Sequence, residues 1–457
     1  MRCSRFLGIL AALLLIGLTP THAIADVALS GPFSTNMVLQ RDRPAPVWGT
    51  ARPGETICVS IAGQTKTAKT DAQGNWKVTL DAMQAGGPHV LSVKGSSAIA
   101  VTGVLIGEVW LCSGQSNMNW IVLHSKNHDA EMVAANYPQI RVLHVRKRYS
   151  EKPTTVIKAP WQVCSRKTIA YTPAVPYFFG RRIHKELNVP VGLVVSAVNG
   201  TRIEPWTPAV GVKSVAALVG KDKPVDGELY NGMIHPLAPM AMRGVIWYQG
   251  EGNVGDGMLY YHRMEALING WRATWGRGDF PFYYVQLAPL NWGGKPKDQL
   301  PAIWEAQTAA LKITNTGMIV TNDVGNIGTA HPRNKQAVGN RLAVLALAKT
   351  YGKKNLVYSG PLYKSMRTEG AKIRLTFDHT ASGLASRDGK PLSWFTIAGS
   401  DKKFVPAAAK IDGKSLIISS PAVKRPVAVR FGWHQIAEPN LMNKAGLPAS
   451  SFRTDRW

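Results

Sequence analysis

The chain has 457 residues, of which 45% are hydrophobic and 18% charged, with a formal charge of +26. That length and balance exclude a single small domain and a disordered chain and predict two or three folded regions. The basic excess would suit an anionic partner, but its clusters, such as Arg146-Lys147-Arg148 and Arg181-Arg182, are short and scattered, so no nucleic-acid partner is expected.

Residues 1–25 place Arg2 and Arg5 before an apolar run from Phe6 to Leu18 and end in Ala23-Ile24-Ala25. This is the pattern of a cleaved secretory signal peptide, and it predicts a periplasmic or secreted product. No later stretch is long and apolar enough to span a bilayer, so no membrane span is expected once the signal is removed. Cys3 leaves with the leader. Cys58, Cys112 and Cys164 allow at most one disulfide and have no metal-site spacing.

From residue 26 to about 103, short apolar runs alternate with turn signals at Arg52-Pro53-Gly54-Glu55, Asp71-Ala72-Gln73-Gly74-Asn75 and Ala85-Gly86-Gly87-Pro88. Thr56–Ile61 and Trp76–Leu80 read as strands, and the spacing predicts an N-terminal β-sandwich. From 104 to 352 the texture changes. Strands are expected at Val109–Cys112, Val191–Ala197, Gly244–Tyr248, Phe280–Leu287 and Gly317–Thr321. Helices are expected at Val175–Leu187, Met258–Trp271, Leu300–Leu311 and Lys335–Tyr351. Such alternation predicts an α/β domain with a mainly parallel sheet covered on both faces. From 353 to 457 strand patterns return at Lys372–Phe377, Ser415–Ile418 and Val427–Phe431, which predicts a C-terminal β domain.

Three stretches stand out. In VWLCSGQSNMNW (109–120), Ser116 follows the end of an expected strand by a few residues. Ligands gather at strand carboxyl ends in open α/β sheets, and a helix starting there would aim N–H groups at developing negative charge. Taken alone, this stretch is better explained as a loop capping a helix. The second, Trp247-Tyr248-Gln249-Gly250-Glu251, also runs from strand into a polar turn; Gln249 could donate to an oxyanion or simply hold its loop, and Glu251 could orient a base or brace the turn. In the third, His331 lies after the strand at 317–321 and just before a helix begun by Pro332. An imidazole there could take the Ser116 proton and deliver it to a leaving alcohol. Together the three favour a serine hydrolase.

These segments resemble the sialate O-acetylesterase family, whose catalytic domain is similar to the SGNH hydrolases. The resemblance runs through Asn36-Met37-Val38-Leu39-Gln40-Arg41, Gly114-Gln115-Ser116-Asn117-Met118, Gly200-Thr201-Arg202-Ile203-Glu204-Pro205-Trp206, Trp247–Glu251, His331-Pro332-Arg333-Asn334-Lys335 and Gly446–Asp455. It implies an SGNH-like three-layer αβα core flanked by N-terminal and C-terminal β-sandwich-like regions. It also implies Ser116 as nucleophile, His331 as general base, and an oxyanion hole from the Ser116 and Gly200 N–H groups and the Gln249 side chain. No metal or organic cofactor is implied. The position three residues before the histidine, an aspartate in those enzymes, is Gly328 here. A Ser–His dyad is therefore expected, with the second imidazole nitrogen held by a carbonyl of Gly328 or Thr329, and with Asp323 and Glu251 as alternatives.

The activity this implies is removal of acetyl groups from sugar hydroxyls, sialic acid first. Acetylated xylan or another polysaccharide is the alternative substrate, and a non-catalytic glycan-binding protein the alternative class. Arg202 is expected to pair with a sialate carboxylate, and Trp206 or Trp247 to stack on a sugar ring.

Overall fold

One strand, Ala98–Gly114, organises the molecule. Its first half alternates between exposed and covered residues, as an edge-facing strand does, while every residue from Val104 to Gly114 is buried. The computed structural model describes residues 26–157 and 159–457; the expected leader, residues 1–25, lies outside the described residues. Within them, no helix is long and apolar enough to cross a membrane.

The buried half of Ala98–Gly114 is the centre of a seven-stranded sheet. On one side lie Val191–Ala197, Asn136–His144 and Trp161–Ser165; on the other lie Gly244–Tyr248, Phe282–Val285 and Thr316–Ile319. All pairings are parallel except the edge pair of Trp161–Ser165 with Asn136–His144. Neither strand of that pair was expected. Pro138 and Arg141 interrupt the apolar pattern of the inner one, and only the middle of it is buried.

Alternation along the strands assigns the helices to the two faces. Trp110 is in register with Gly244, so Trp247, three residues on, faces the opposite way. Trp110 meets Phe179 of helix Ala174–Leu187 edge-on, with centroids 5.1 Å apart. Trp247 meets Trp271 of helix Leu259–Trp275 at 5.9 Å. Helix Lys335–Lys349 packs beside Ala174–Leu187, burying Val338, Leu342, Leu345 and Ala346, and Gln299–Ala309 packs beside Leu259–Trp275. The result is the expected three-layer αβα core.

The N-terminal strands form two facing layers. Ala28–Leu29, Ala45–Thr50 and Asn75–Leu80 make one; Gln64–Lys69, Thr56–Ile61, Gly86–Lys94 and the start of Ala98–Gly114 make the other. The boundary expected at residue 103 falls inside Ala98–Gly114, and the N-terminal strands share one continuous apolar core with the central sheet. The C-terminal strands have a core of their own, including Ile373, Leu375, Ile397, Leu416, Ile418, Phe431 and Phe452. Arg453 pairs with Glu305, and Gln286 donates to Ser450 Oγ at 2.9 Å, fastening this region to the α/β domain. Cys58, Cys112 and Cys164 are all unpaired.

A buried ion cluster lies within the central strand, where it begins to pair with Val191–Ala197. Glu108 is fully buried and receives Arg41 Nε and Arg243 Nε, each at 2.7 Å, and Gln40 Nε2 at 3.2 Å. Burial opposes its ionisation, but the two guanidinium groups and the amide together hold its pKa below the ordinary carboxylate range. Glu108→Gln should therefore lower unfolding free energy by about 2–4 kcal/mol, because two cations lose their counter-charge. Since the folded pKa is depressed, this stabilisation is full above the ordinary carboxylate range and fades as pH falls through the depressed value. Urea unfolding of both proteins as a function of pH checks it: the gap should narrow in acid.

Candidate active site

Chain order places a crevice at the carboxyl end of Ala98–Gly114. The chain leaves this strand to build one side of the sheet and then returns to build the other, so the loops diverge here. Gly114 makes the exit turn with φ +137°, and a Cβ there would sit 2.1 Å from the Tyr248 carbonyl oxygen. Only glycine fits. Gln115 N–H then donates to that carbonyl at 3.0 Å, and a single helical turn, Ser116–Asn119, begins. Ser116 is half-buried.

The loop after Thr316–Ile319 crosses from the sheet edge back to this turn. It brings His331 Nε2 to 2.8 Å from Ser116 Oγ, across 215 residues of sequence. The imidazole lies flat on the Trp120 indole, with centroids 4.8 Å apart and planes 15° from parallel. Its backbone N–H donates to Thr329 Oγ1 at 3.1 Å. The carbonyl contact expected from Gly328 or Thr329 to the second imidazole nitrogen is not made among the described residues. Thr329 acts through its hydroxyl, and the Ala330 carbonyl between them is occupied by Asn117 Nδ2 at 2.8 Å.

Burial and, second, the charge of Lys335 hold the His331 pKa below its ordinary value. The imidazole is thus neutral at neutral pH, the form that can accept a proton. The acid limb of kcat/KM should have its midpoint below the ordinary histidine value. Lys335→Met removes a cation and should move that limb to higher pH, as the pH profile of 4-nitrophenyl acetate hydrolysis would show; an unmoved limb would reject the coupling.

Beneath the Ser116–His331 pair lies a buried polar network. Asn117 donates to Glu251 Oε1 and to the Ala330 carbonyl, and accepts from Lys335 Nζ. Burial pushes the Glu251 carboxyl up and the Lys335 ammonium down to about 7. Asn117 is the bridge between them, and it ties the turn carrying Ser116 to the loop carrying His331.

Two backbone donors are open in the turn of Ser116 and in the loop that meets it, where Asn119 Nδ2 reaches Asn199 Oδ1 at 3.4 Å. The Ser116 and Gly200 N–H groups make no hydrogen bond among the described residues. Gly200 has φ +72° in an exposed turn whose shape is set by its neighbour: Thr201 Oγ1 donates to the Val198 carbonyl at 2.9 Å. Gln249 completes that brace. Its Nε2 donates to the Thr201 carbonyl at 3.0 Å and to Asn253 Oδ1 at 2.8 Å, while its Oε1 accepts from Tyr260 Oη at 2.8 Å. Both amide hydrogens are spent and the side chain is fully buried, so the expected oxyanion role for Gln249 is corrected to that of a strut under the Gly200 turn.

Comparison with known proteins gives the family of the chain. The model of the family of carbohydrate esterases described as sialic acid-specific acetylesterases matches residues 106–348. The chain belongs to that family. The human sialate O-acetylesterase is 32% identical over 451 residues, covering 88% of this chain and 86% of its own; the orangutan (Pongo abelii) sialate O-acetylesterase gives the same figures. A crystal structure of a carbohydrate acetylesterase from Xanthomonas citri superposes with a TM-score of 0.89 at 40% identity, covering 94% of this chain and all of that one.

Other side chains expected at the site of this esterase lie elsewhere. Arg202 is held by Glu204 Oε1 at 2.7 Å, by Asp256 Oδ2 at 3.0 Å and by the Gly252 carbonyl at 2.9 Å, so its charge is already matched and a sialate carboxylate would have to compete with two others. Trp206 and Trp247 are fully buried, meeting edge-on at 6.3 Å inside the helix layer; neither has a face for a sugar. Asp323 makes a bidentate pair with Arg341, which also donates to the Val320 carbonyl at 2.7 Å. It secures the base of the His331 loop and does not touch the imidazole. Glu251 acts through Asn117. Among the described residues, no three histidine, cysteine or acidic side chains converge as a metal set would require. Asn117, Trp120 and Lys335 were not picked out from sequence, although the first lies next to the nucleophile and the last four residues after the histidine, within the very motifs that identified the site.

Proposed function

We propose that this esterase removes acetyl groups from sugar hydroxyls through a serine acyl-enzyme, with Ser116 as nucleophile and His331 as sole general base. The observation that carries it is the 2.8 Å contact between Ser116 Oγ and a neutral His331 Nε2, and the unspent N–H groups of Ser116 and Gly200 support it. Ser116 Oγ attacks the acetyl carbonyl carbon and His331 takes its proton. The Ser116 and Gly200 N–H groups receive the oxyanion. His331 then returns the proton to the sugar oxygen, which leaves, and the acetyl-serine remains. Water attacks in turn, loses its proton to His331, and acetate departs. Trp120 keeps the ring in plane, a duty an acidic partner would otherwise perform; a stacked indole fixes orientation but offsets imidazolium charge only weakly.

Sialic acid is the substrate class we favour, supported by the family and by the names of its mammalian relatives. The leader sequence supports export to the periplasm or beyond. A panel of 9-O-acetylated sialic acid, acetylated xylan and acetylated pectin, assayed for acetate release, tests the reading. Sialate should be cleaved with the highest kcat/KM. Higher values on xylan or pectin would move the assignment to polysaccharide, and no release from any of the three would reject the sugar esterase.

A further inference from the structure

With Arg202 neutralised, recognition of an acidic sugar must come from elsewhere, and a cavity of about 520 Å³ reaches Asn119, at the end of the turn that carries the nucleophile. It opens at the carboxyl ends of strands Asn136–His144 and Val191–Ala197. Its wall nearest Ser116 is Asn119, which ends the same helical turn, and Asn199, which precedes Gly200; Asn119 Nδ2 reaches Asn199 Oδ1 at 3.4 Å. The buried Asn119 Oδ1 has no hydrogen-bond partner. The far wall carries Arg146, Lys147 and Gln162, all exposed to the cavity. No acidic residue lines it, and among the described residues neither Arg146 nor Lys147 has a carboxylate partner; the Lys147 ammonium lies only over the Tyr149 ring, at 5.1 Å. His144, open to the cavity yet ringed by protein, is held neutral at neutral pH by burial, so the positive field is that of Arg146 and Lys147.

We infer that this cavity is the subsite for the carboxylate of an acidic sugar, and that Arg146, assisted by Lys147, determines specificity for acidic over neutral acetyl esters. This rests on the sugar-esterase reading above. Two unpaired cations in a concave wall attract a carboxylate, and a guanidinium can hold both its oxygens at once. The asparagines and Gln162 offer donors and acceptors to ring hydroxyls. The ester then lies towards Ser116, because the cavity's near wall is the turn that carries it.

The test is a ratio measured on a single enzyme preparation: kcat/KM for 9-O-acetylated sialic acid divided by that for its carboxyl methyl ester. The ratio is insensitive to how much of a variant is folded. Wild type should favour the acid by about tenfold, allowing for the solvent exposure of both cations. Arg146→Gln combined with Lys147→Gln should bring the ratio close to one, and raising the salt concentration should lower it in wild type. If wild type cleaves both compounds equally, or if the double variant keeps the preference, the subsite is overturned while the esterase stands. If wild type cleaves neither but still hydrolyses 4-nitrophenyl acetate, the sialate reading falls and the subsite with it, while the esterase stands.

Discussion

Ser116→Ala should lower kcat for 4-nitrophenyl acetate roughly 10⁴-fold or more, to the rate sustained by the remaining donors alone. The serine is half-buried and its Oγ meets only His331 among the described side chains, so removing one oxygen leaves no unpaired core group and the fold should be untouched. His331→Ala should cost a similar amount, because the oxygen without its base is a poor nucleophile at neutral pH. The two losses should not add: the double variant should be about as slow as either single one, as expected of groups acting as one unit. Acetylation of wild type trapped by rapid acid quench should map to Ser116. Retention of activity within tenfold by Ser116→Ala would place the nucleophile elsewhere.

Asn117→Ala should lower kcat by about 100-fold while changing KM little. The side chain touches no reacting atom. It joins the nucleophile's turn to the Ala330 carbonyl, one residue before the base, and it separates a buried lysine from a buried glutamate. Without it the His331 loop loses its tie, and a displacement of about 1 Å between Oγ and Nε2 is enough for a loss of that size. Lys335 and Glu251 would also lose their bridge, and stability should fall by about 1–3 kcal/mol. A purely structural role would lower the melting temperature alone. The positioning role predicts a kcat deficit at temperatures far below unfolding, together with a shifted acid limb, since Lys335 would no longer be held at its present distance from the imidazole. An unchanged kcat at low temperature would reject it.

Much of the fold was legible because local signals agreed with the tertiary outcome. Val191–Ala197 and Gly244–Tyr248 were expected with the bounds they have, since continuous apolar runs of that length are buried parallel strands. Helix Lys335–Lys349 was expected from its apolar spacing, but Pro332, expected in its first turn, lies ahead of its Asn334 cap. The antiparallel pair Asn136–His144 and Trp161–Ser165 was not expected: Trp161–Ser165 is an edge strand, which needs only a few buried residues, and Pro138 of its inner neighbour falls where the register between the two shifts. The texture change near residue 103 was real, but it marks where a strand passes from a two-layered sandwich into a buried sheet, not where it ends.

At the site, residue type and strand-end position singled out Ser116 and His331, which the fold brings to 2.8 Å, because acyl transfer needs a hydroxyl and an imidazole; Gly200 entered only through the family resemblance. Roles that depend on who reaches a side chain first were decided only in three dimensions. Gln249 has the right amide in the right turn, yet the Thr201 carbonyl and Asn253 take both its hydrogens. Arg202 carries the charge a carboxylate needs, and Glu204 and Asp256 already hold it. Sequence by itself determined the covalent repertoire: a hydroxyl, an imidazole and a glycine able to turn sharply. Tertiary packing decided which donors stay free and which charges stay unmatched, because hydrogen bonds and ion pairs act over a few ångströms and their partners lie tens to hundreds of residues away.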